Sequence, residues 1–379
     1  MNIDVSKQAR NSWTGSIDRL GALLDVFWRH GQYRLWLFSA VVGPLVYIIT
    51  RASMLLDHVF YPKLNRTEVR KPVFIVGHPR SGTTFFQKRL YESGKVSMFT
   101  TWDIAMPSIS LRTFLEPVIS LFRVLKMGVL LSASGGHEIR IDGVEEDEGM
   151  FLHYLDTEVI THYCPWLLTD PRYRSRGLKM GWNDEANDKR TLLFFRQTLR
   201  RQILHTGNTQ VVAKLNASVF RIKTILEVFP DARIIYMVRP PADTIKSFFN
   251  FTYNLVGESL GPKELPRFFA RKYEWSKRLY SYFEEVRDEI PEDRLAIVKF
   301  NDLTEDLPAT MQKAWDFIGI DPGPAYRQAI QDRSQRSHEK RHTNSAVEGF
   351  GVSPQRIKAD LSFVYQKYFS SGINEAAAG

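Results

Sequence analysis

Cysteine is almost missing from this chain: its 379 residues contain one, Cys164. That excludes an intramolecular disulfide and a zinc site built on cysteines, and it points to a reducing, cytoplasmic setting. In "HYCPW" this cysteine reads as a small buried hydrophobe. The H-x-x-x-H spacing of a zinc helix is not present in useful form, and no metal is expected. Internal repeats and low-complexity tracts are also missing. So is a secretory leader: the first thirty residues are polar and amphipathic. The apolar stretch "LWLFSAVVGPLVYIIT", Leu35 to Thr50, has 16 uncharged residues, short of the ~20 that a spanning helix needs. Gly43-Pro44 is expected to break it midway. Arg29 and Arg34 precede it, and Arg51, Lys63 and Arg66 follow. Basic flanks on both sides keep both ends on the cytoplasmic side. Residues 35–50 therefore read either as an interfacial or re-entrant segment, in peripheral contact with the inner face of a membrane, or as a buried helical hairpin.

The composition supports a sizeable core, with 44% hydrophobic and 13% aromatic residues. The formal charge of +9 suits an anionic ligand, an anionic membrane or nucleic acid. Nucleic-acid binding would call for a basic stripe interleaved with aromatics; none is visible, and no nucleic-acid partner is expected.

From Lys71 onward, strand-like and helix-like segments alternate. "PVFIVG", "QVVAKL" (Gln210–Leu215), "ARIIYMV" (Ala232–Val238) and "RLAIVKF" (Arg294–Phe300) are continuous apolar runs, as in strands covered on both faces. "GTTFFQKRLYESG", "SVFRIKTILEVF" and "ADTIKSFFNF" read as helices between them, and Thr304 as the cap of a helix after the last strand. The pattern implies an α/β fold, a three-layer arrangement with a parallel sheet between helices. Residues 1–70 read as an N-terminal membrane-associated or helical appendage to a domain over 71–379. An insertion at about 101–190 is expected to cover the carboxyl ends of the strands, where ligands bind in open sheets. Within it, "FLEPVISLFRVLKMGVLL" reads as one apolar helix carrying Arg123 and Lys126, and "HEIRIDGVEEDEGMF" as an acidic helix start.

The loop after the first strand carries the chemistry. Gly77 to Thr84 reads G-H-P-R-S-G-T-T, with the GxxxxG spacing of a phosphate-binding loop at a strand–helix junction. The lysine that normally follows the second glycine is absent. Thr83 and Thr84 stand there, and the cation has moved into the loop as Arg80. No clear acidic strand end offers to hold magnesium, which counts against a P-loop kinase or nucleotide triphosphatase. A sulfuryl group carries less charge than a phosphoryl group and needs a metal less. Further on, Arg239 ends an apolar strand and Ser247 lies in the next helix; together they can clamp a second phosphate.

These residues resemble the sulfotransferases that use 3′-phosphoadenylyl sulfate (PAPS). "HPRSGTT" is similar to their 5′-phosphosulfate loop, Arg239 and Ser247 match their 3′-phosphate residues, and "SHEKRHTNSAVEGFGVSPQRI" resembles the C-terminal stretch of bacterial members. The resemblance runs from about Lys71 to Phe369, least closely over 104–190, and implies a P-loop-like sulfotransferase fold. It implies PAPS as sulfuryl donor, bound by His78, Pro79, Arg80, Ser81, Gly82, Thr83 and Thr84, by Arg239 and Ser247, and by Lys340 and Arg341 of the basic cluster near the C-terminus. Arg80 is the leading electrostatic residue. Lys214 in "VVAKLNA" matches a lysine near the transferring group, although relatives show "KDP" or "KNP". Two candidates for the base stay open. Asp103 in "FTTWDIAMP" occupies the place of a family glutamate, with the alternative of a helix cap. The cluster with Glu145 and Glu146 resembles a family "PEEDE" stretch. His137 fits less well. The acceptor is expected to be a hydroxyl on a lipid-like or hydrophobic molecule. A P-loop kinase-like enzyme and a non-catalytic, nucleotide-binding relative remain the alternatives.

Overall fold

The computed structural model describes residues 5–125, 129–133, 137–173, 185–336 and 351–370. Its strands are β1 (Val73–Gly77), β2 (Val129–Ala133), β3 (His137–Arg140), β4 (Val212–Lys214), β5 (Arg233–Val238) and β6 (Leu295–Lys299). Four of them form one parallel sheet in the order β4-β1-β5-β6. These are the four runs expected from the sequence. Their unbroken apolarity has a plain cause: Phe74, Val76, Ile234 and Tyr236 enter one hydrophobic cluster, and Val73, Ile75, Ile235 and Met237 enter another. Successive side chains point to opposite faces of a strand, so a sheet with a core on each side needs apolar residues throughout. Helices Glu185–Thr206 and Leu265–Val286 line the first core, and Thr83–Tyr91 and Leu307–Ile318 the second. The fold is α/β, a parallel sheet between two helical layers.

Several local expectations are corrected. Gly43-Pro44 does not break the apolar segment. Tyr33–Leu37 passes through a π-turn at Phe38–Val42 into helix Gly43–Phe60, and the Gly43 N–H donates to the Phe38 carbonyl five residues back. The wider turn takes up the place of the hydrogen bond that Pro44 has no N–H to make. The apolar helix of the insertion ends at Val124, and Val129 begins a β2–β3 hairpin, so "GVLL" is not helical. The acidic stretch opens no α-helix: it follows β3 and enters a 3-10 turn at Asp147–Tyr154. Thr304 caps nothing, because the last helix of this region is capped by Asp306, whose carboxylate accepts the Ala309 N–H.

Residues 17–70 are built into the body of the protein. Ala22, Leu23, Val26, Phe27 and Met54 belong to the cluster under the sheet, together with Cys164, whose thiol burial pushes up to about 12. Asp57, fully buried, fixes helix Gly43–Phe60 to two neighbours. It accepts from Arg201 Nε at 2.7 Å, and from Ser108 Oγ (2.9 Å), Ile109 N (3.2 Å) and Ser110 N (2.8 Å) at the start of helix Ile109–Val124. Burial raises its pKa, but the bonds from Ser110, Arg201 and Ser108 outweigh that and hold the carboxyl below its ordinary range. Replacing Asp57 by Ala leaves the buried Arg201 unpaired and should cost ~3–5 kcal/mol of stability in urea unfolding. Because the folded-state pKa is depressed, the stabilisation is present above the unfolded pKa and lost as pH falls through the folded one; Asp57→Ala should flatten that acid limb.

Candidate active site

β1 delivers the chain into the loop at Gly77, which has φ 146°. A Cβ there would lie 2.4 Å from the Met237 carbonyl oxygen, so only glycine lets β1 run this close to β5. Arg80 takes the left-handed region at φ 73° and Gly82 follows at φ 96°. A Cβ on Gly82 would meet the Phe300 ring at 2.5 Å. Alternating backbone hand of this kind turns successive N–H groups inward, as in an anion nest, and helix Thr83–Tyr91 starts directly behind it.

Two arginines converge on this loop. Arg80 Nε donates to Ser247 Oγ at 3.1 Å, and Arg239 Nη1 donates to the Arg80 carbonyl at 3.4 Å. The Arg239 guanidinium lies 4.5 Å from the Phe300 ring centroid, and Arg80 lies 5.4 Å from that of Phe251. Neither arginine has an ion-pair partner among the described residues. Burial, and for Arg80 the neighbouring charge of Arg239, lower the pKa of both. Arg239 Nε and the Ser81 hydroxyl are buried without a hydrogen-bond partner among the described residues. Like charges gathered with free donors suit a multiply charged anion. The structure thus brings together Arg80, Ser81, Gly82, Arg239 and Ser247 as the sequence suggested.

Thr84 and Lys214 meet on the other side of the loop: Lys214 Nζ donates to Thr84 Oγ1 at 3.0 Å. Lys214 ends β4 and is only 2% exposed. Around it lie the acids of the insertion. Asp147 accepts the Lys214 backbone N–H and a bond from Gln87, and Glu148 accepts from Ala217 N (2.8 Å) and Ser218 Oγ (2.6 Å). Burial pushes both carboxyls up to about 8. Glu146 is half-buried. Burial raises its pKa, with only partial relief from the Lys214 charge and from bonds involving Glu148 and Asn216. A raised carboxylate beside a buried cation, next to an anion loop, has the character of a proton acceptor.

Other predicted residues are placed differently. The His78 side chain turns into the core: it stacks on Tyr280, Nδ1 donates to the Pro79 carbonyl at 2.7 Å and Nε2 pairs with Ser276 Oγ at 2.8 Å. Burial lowers its pKa to about 4, so the ring is neutral and the residue can serve the loop only through its backbone. Pro79 remains a loop position, and Thr83 opens the helix behind the loop with its side chain buried. Asp103 is 6% exposed and completes a capping box with Thr100. Its oxygens accept from Arg112 Nη1, from Gln202 Nε2 at 3.1 Å and from the Thr100 N–H at 2.9 Å. It lines a lateral cavity of about 830 Å³ whose walls include neither the loop nor Lys214. Glu145 offers its carbonyl to Gln87. Lys340 and Arg341 lie outside the described residues. Sequence reasoning passed over Asn216, Gln87 and Phe300. Asn216 had a signal, the asparagine of "KLN" two positions after the lysine; Gln87 and Phe300 had none.

The comparisons agree with this geometry. The omega-hydroxy-beta-dihydromenaquinone-9 sulfotransferase Stf3 of Mycobacterium bovis is 24% identical to this chain over 285 residues, 69% of this chain and 67% of that protein. Its namesake in Mycobacterium tuberculosis aligns with the same figures, 24% over 285 residues. Among solved structures, sulfotransferase STF1 of Mycobacterium tuberculosis has a TM-score of 0.68 at 15% identity, covering 95% of this chain and 99% of that one. Sulfotransferase STF9 of Mycobacterium avium has 0.67 at 16% identity, covering 84% and 81%. At such identity the structural likeness speaks for the fold. A family model described as the sulfotransferase family matches residues 72–323; that is well over half of the chain, and the protein belongs to the sulfotransferase family of enzymes.

Proposed function

We propose that this enzyme transfers a sulfuryl group from PAPS to a hydroxyl of a hydrophobic acceptor, with Glu146 as base. One observation carries the donor reading: Arg80 and Arg239 are held together at a glycine-bounded loop with Ser247, and neither makes an ion pair among the described residues. A nucleotide with phosphates at two positions suits that set. The loop amides, Arg80 and Thr84 would hold the 5′ side, and Arg239 and Ser247 the 3′-phosphate. PAPS supplies the activated sulfur; this chain's residues orient the acceptor, take its proton and stabilise the departing charge. The acceptor oxygen forms the new O–S bond as the bond from sulfur to the bridging phosphate oxygen breaks. Lys214 and Arg80 would offset the charge that gathers on that leaving oxygen. Glu146 takes the hydroxyl proton, and Asn216 steadies it. Asp103 is the alternative base, but its oxygens are engaged by Arg112, Gln202 and Thr100. The curated relatives' names specify a hydroxylated menaquinone derivative as their substrate, and that supports a hydroxylated lipid here. A lipid acceptor also suits peripheral membrane contact through residues 35–50, on the cytoplasmic side.

Calorimetry with 3′,5′-adenosine bisphosphate should show binding that Arg239→Ala weakens by ~10- to 150-fold, the equivalent of one charged hydrogen-bonding partner. Binding of ATP–magnesium instead would overturn the donor reading. With a labelled donor, Glu146→Gln should lower kcat by ~10²–10⁴ while donor affinity stays unchanged. Loss in Asp103→Asn with a normal Glu146→Gln would move the base to Asp103. The base must be unprotonated and the Glu146 pKa is raised. The rate should therefore fall as pH drops through a value above the ordinary glutamate range, and Glu146→Gln should abolish that limb.

A further inference from the structure

Helix Gly43–Phe60 presents an apolar side that none of the described residues covers. Leu45 is 55% exposed, Ile48 62%, Leu55 72% and Val59 71%. Its opposite side is tied down: Thr50, Ser53, Met54 and Asp57 are buried, and Arg201 donates to Asp57 and to the Met54 carbonyl. Helix Ile109–Val124 packs alongside it. The two are joined by the Asp57 bonds at one end of the second helix and by Tyr61 Oη with Thr113 Oγ1 at 3.3 Å. This second helix has the same asymmetry. Ile109, Arg112 and Ile119 are buried, while Phe114 is 78% exposed, Leu121 57% and Val124 77%. Monomeric proteins rarely leave contiguous apolar patches of this kind uncovered.

We propose that the two helices form a single face that docks on an anionic lipid surface, lying in the interface rather than crossing it. The inference rests on the membrane reading of residues 35–50 and adds helix Ile109–Val124 as an equal partner; it does not depend on the chemistry of the loop. Charge chooses the occupant. Arg34 lies at one end of the run Tyr33–Phe60, and Lys63 and Arg66 lie just beyond the other. All three are exposed, and none has an ion pair among the described residues. Basic groups at both ends of an apolar helix reach the same sheet of headgroups only if the helix lies flat. Trp28 and Tyr33, in edge contact at 5.3 Å and each more than half exposed, sit at the turn into the run, as interfacial aromatics do. The run Tyr33–Phe60 has 28 residues, enough length to span, but the buried Asp57–Arg201 pair binds its second half to the protein. A second copy of the chain is the rival occupant, and the basic ends disfavour it through repulsion.

Flotation of the full chain with vesicles tests this. Phosphatidylglycerol-containing vesicles should carry the protein, and pure phosphatidylcholine or high salt should release it. Phe114→Ser with Leu121→Ser, and separately Leu45→Ser with Ile48→Ser, should each weaken partition by at least ~10-fold. Binding of 3′,5′-adenosine bisphosphate, measured on the same samples, should be unchanged. If only the Leu45/Ile48 pair matters, the two-helix face is wrong while the reading of residues 35–50 stands. No binding to either vesicle overturns both. A dimer in light scattering that either pair dissolves assigns the face to a second copy and overturns the lipid proposal. Loss of bisphosphate binding in the unaltered protein would strike the donor reading alone.

Discussion

The approach of β1 to β5 at Gly77 is the constraint on which the site depends. The Cβ position of any other residue would lie 2.4 Å from the Met237 carbonyl. With that contact in place, the end of β1 and the end of β5 emerge side by side. The loop after one and Arg239 after the other then share a single basic surface. Gly82 repeats the logic one turn later against Phe300, whose ring also supports Arg239. Phe300 therefore links loop geometry to guanidinium placement, although it carries no charge itself. The left-handed Arg80 between the glycines is a strained conformation for a side-chain-bearing residue, held where its carbonyl meets Arg239 and its Nε meets Ser247.

On the far side of the loop the organising fact is a buried ammonium. Lys214 is almost wholly enclosed, and a cation in that position requires compensation. The insertion brings acids to it, and the main chain of β4 and the turn after it hold two of them, through Lys214 N to Asp147 and Ala217 N to Glu148. Glu146 beside them is half-buried. Glu148 is in turn 3.9 Å from Arg221, which donates to Asp188 at 2.7 Å and contacts Asp156 at 3.2 Å, while Asp156 pairs with Arg19 at 2.9 Å. A chain of buried charges thus runs from the N-terminal helix to the proposed base. Positioning of that base is a property of the whole fold rather than of one loop.

The same economy of buried charge governs the outer helices. Asp57 satisfies Arg201 and the opening N–H groups of helix Ile109–Val124 at once. Once it is buried, the sides of both helices away from it can be apolar and outward-facing without loosening the body. A surface that would be a liability on a free helix becomes a rigid platform.

Four strands and their parallel arrangement were legible in the sequence, because unbroken apolar runs alternating with helical segments have few other physical meanings; the glycine that ends the first run marked the loop. Arg239 and Lys214 could be named there from the strand ends, Arg80 as the cation inside the loop, and Ser247 from its place in the helix after Arg239. The base could not be separated, since Asp103 and Glu146 are both acids near helix-like turns. Only the tertiary structure shows that Arg112, nine residues on, and Gln202, far along the chain, engage Asp103, while the Lys214 charge acts on Glu146. The acidic stretch looked like a helix start because local charge favours one, yet contacts with β4 override that preference. Local pattern thus determined which elements exist and which groups could react. Long-range packing decided which of those groups are buried, which are paired, and which face the loop.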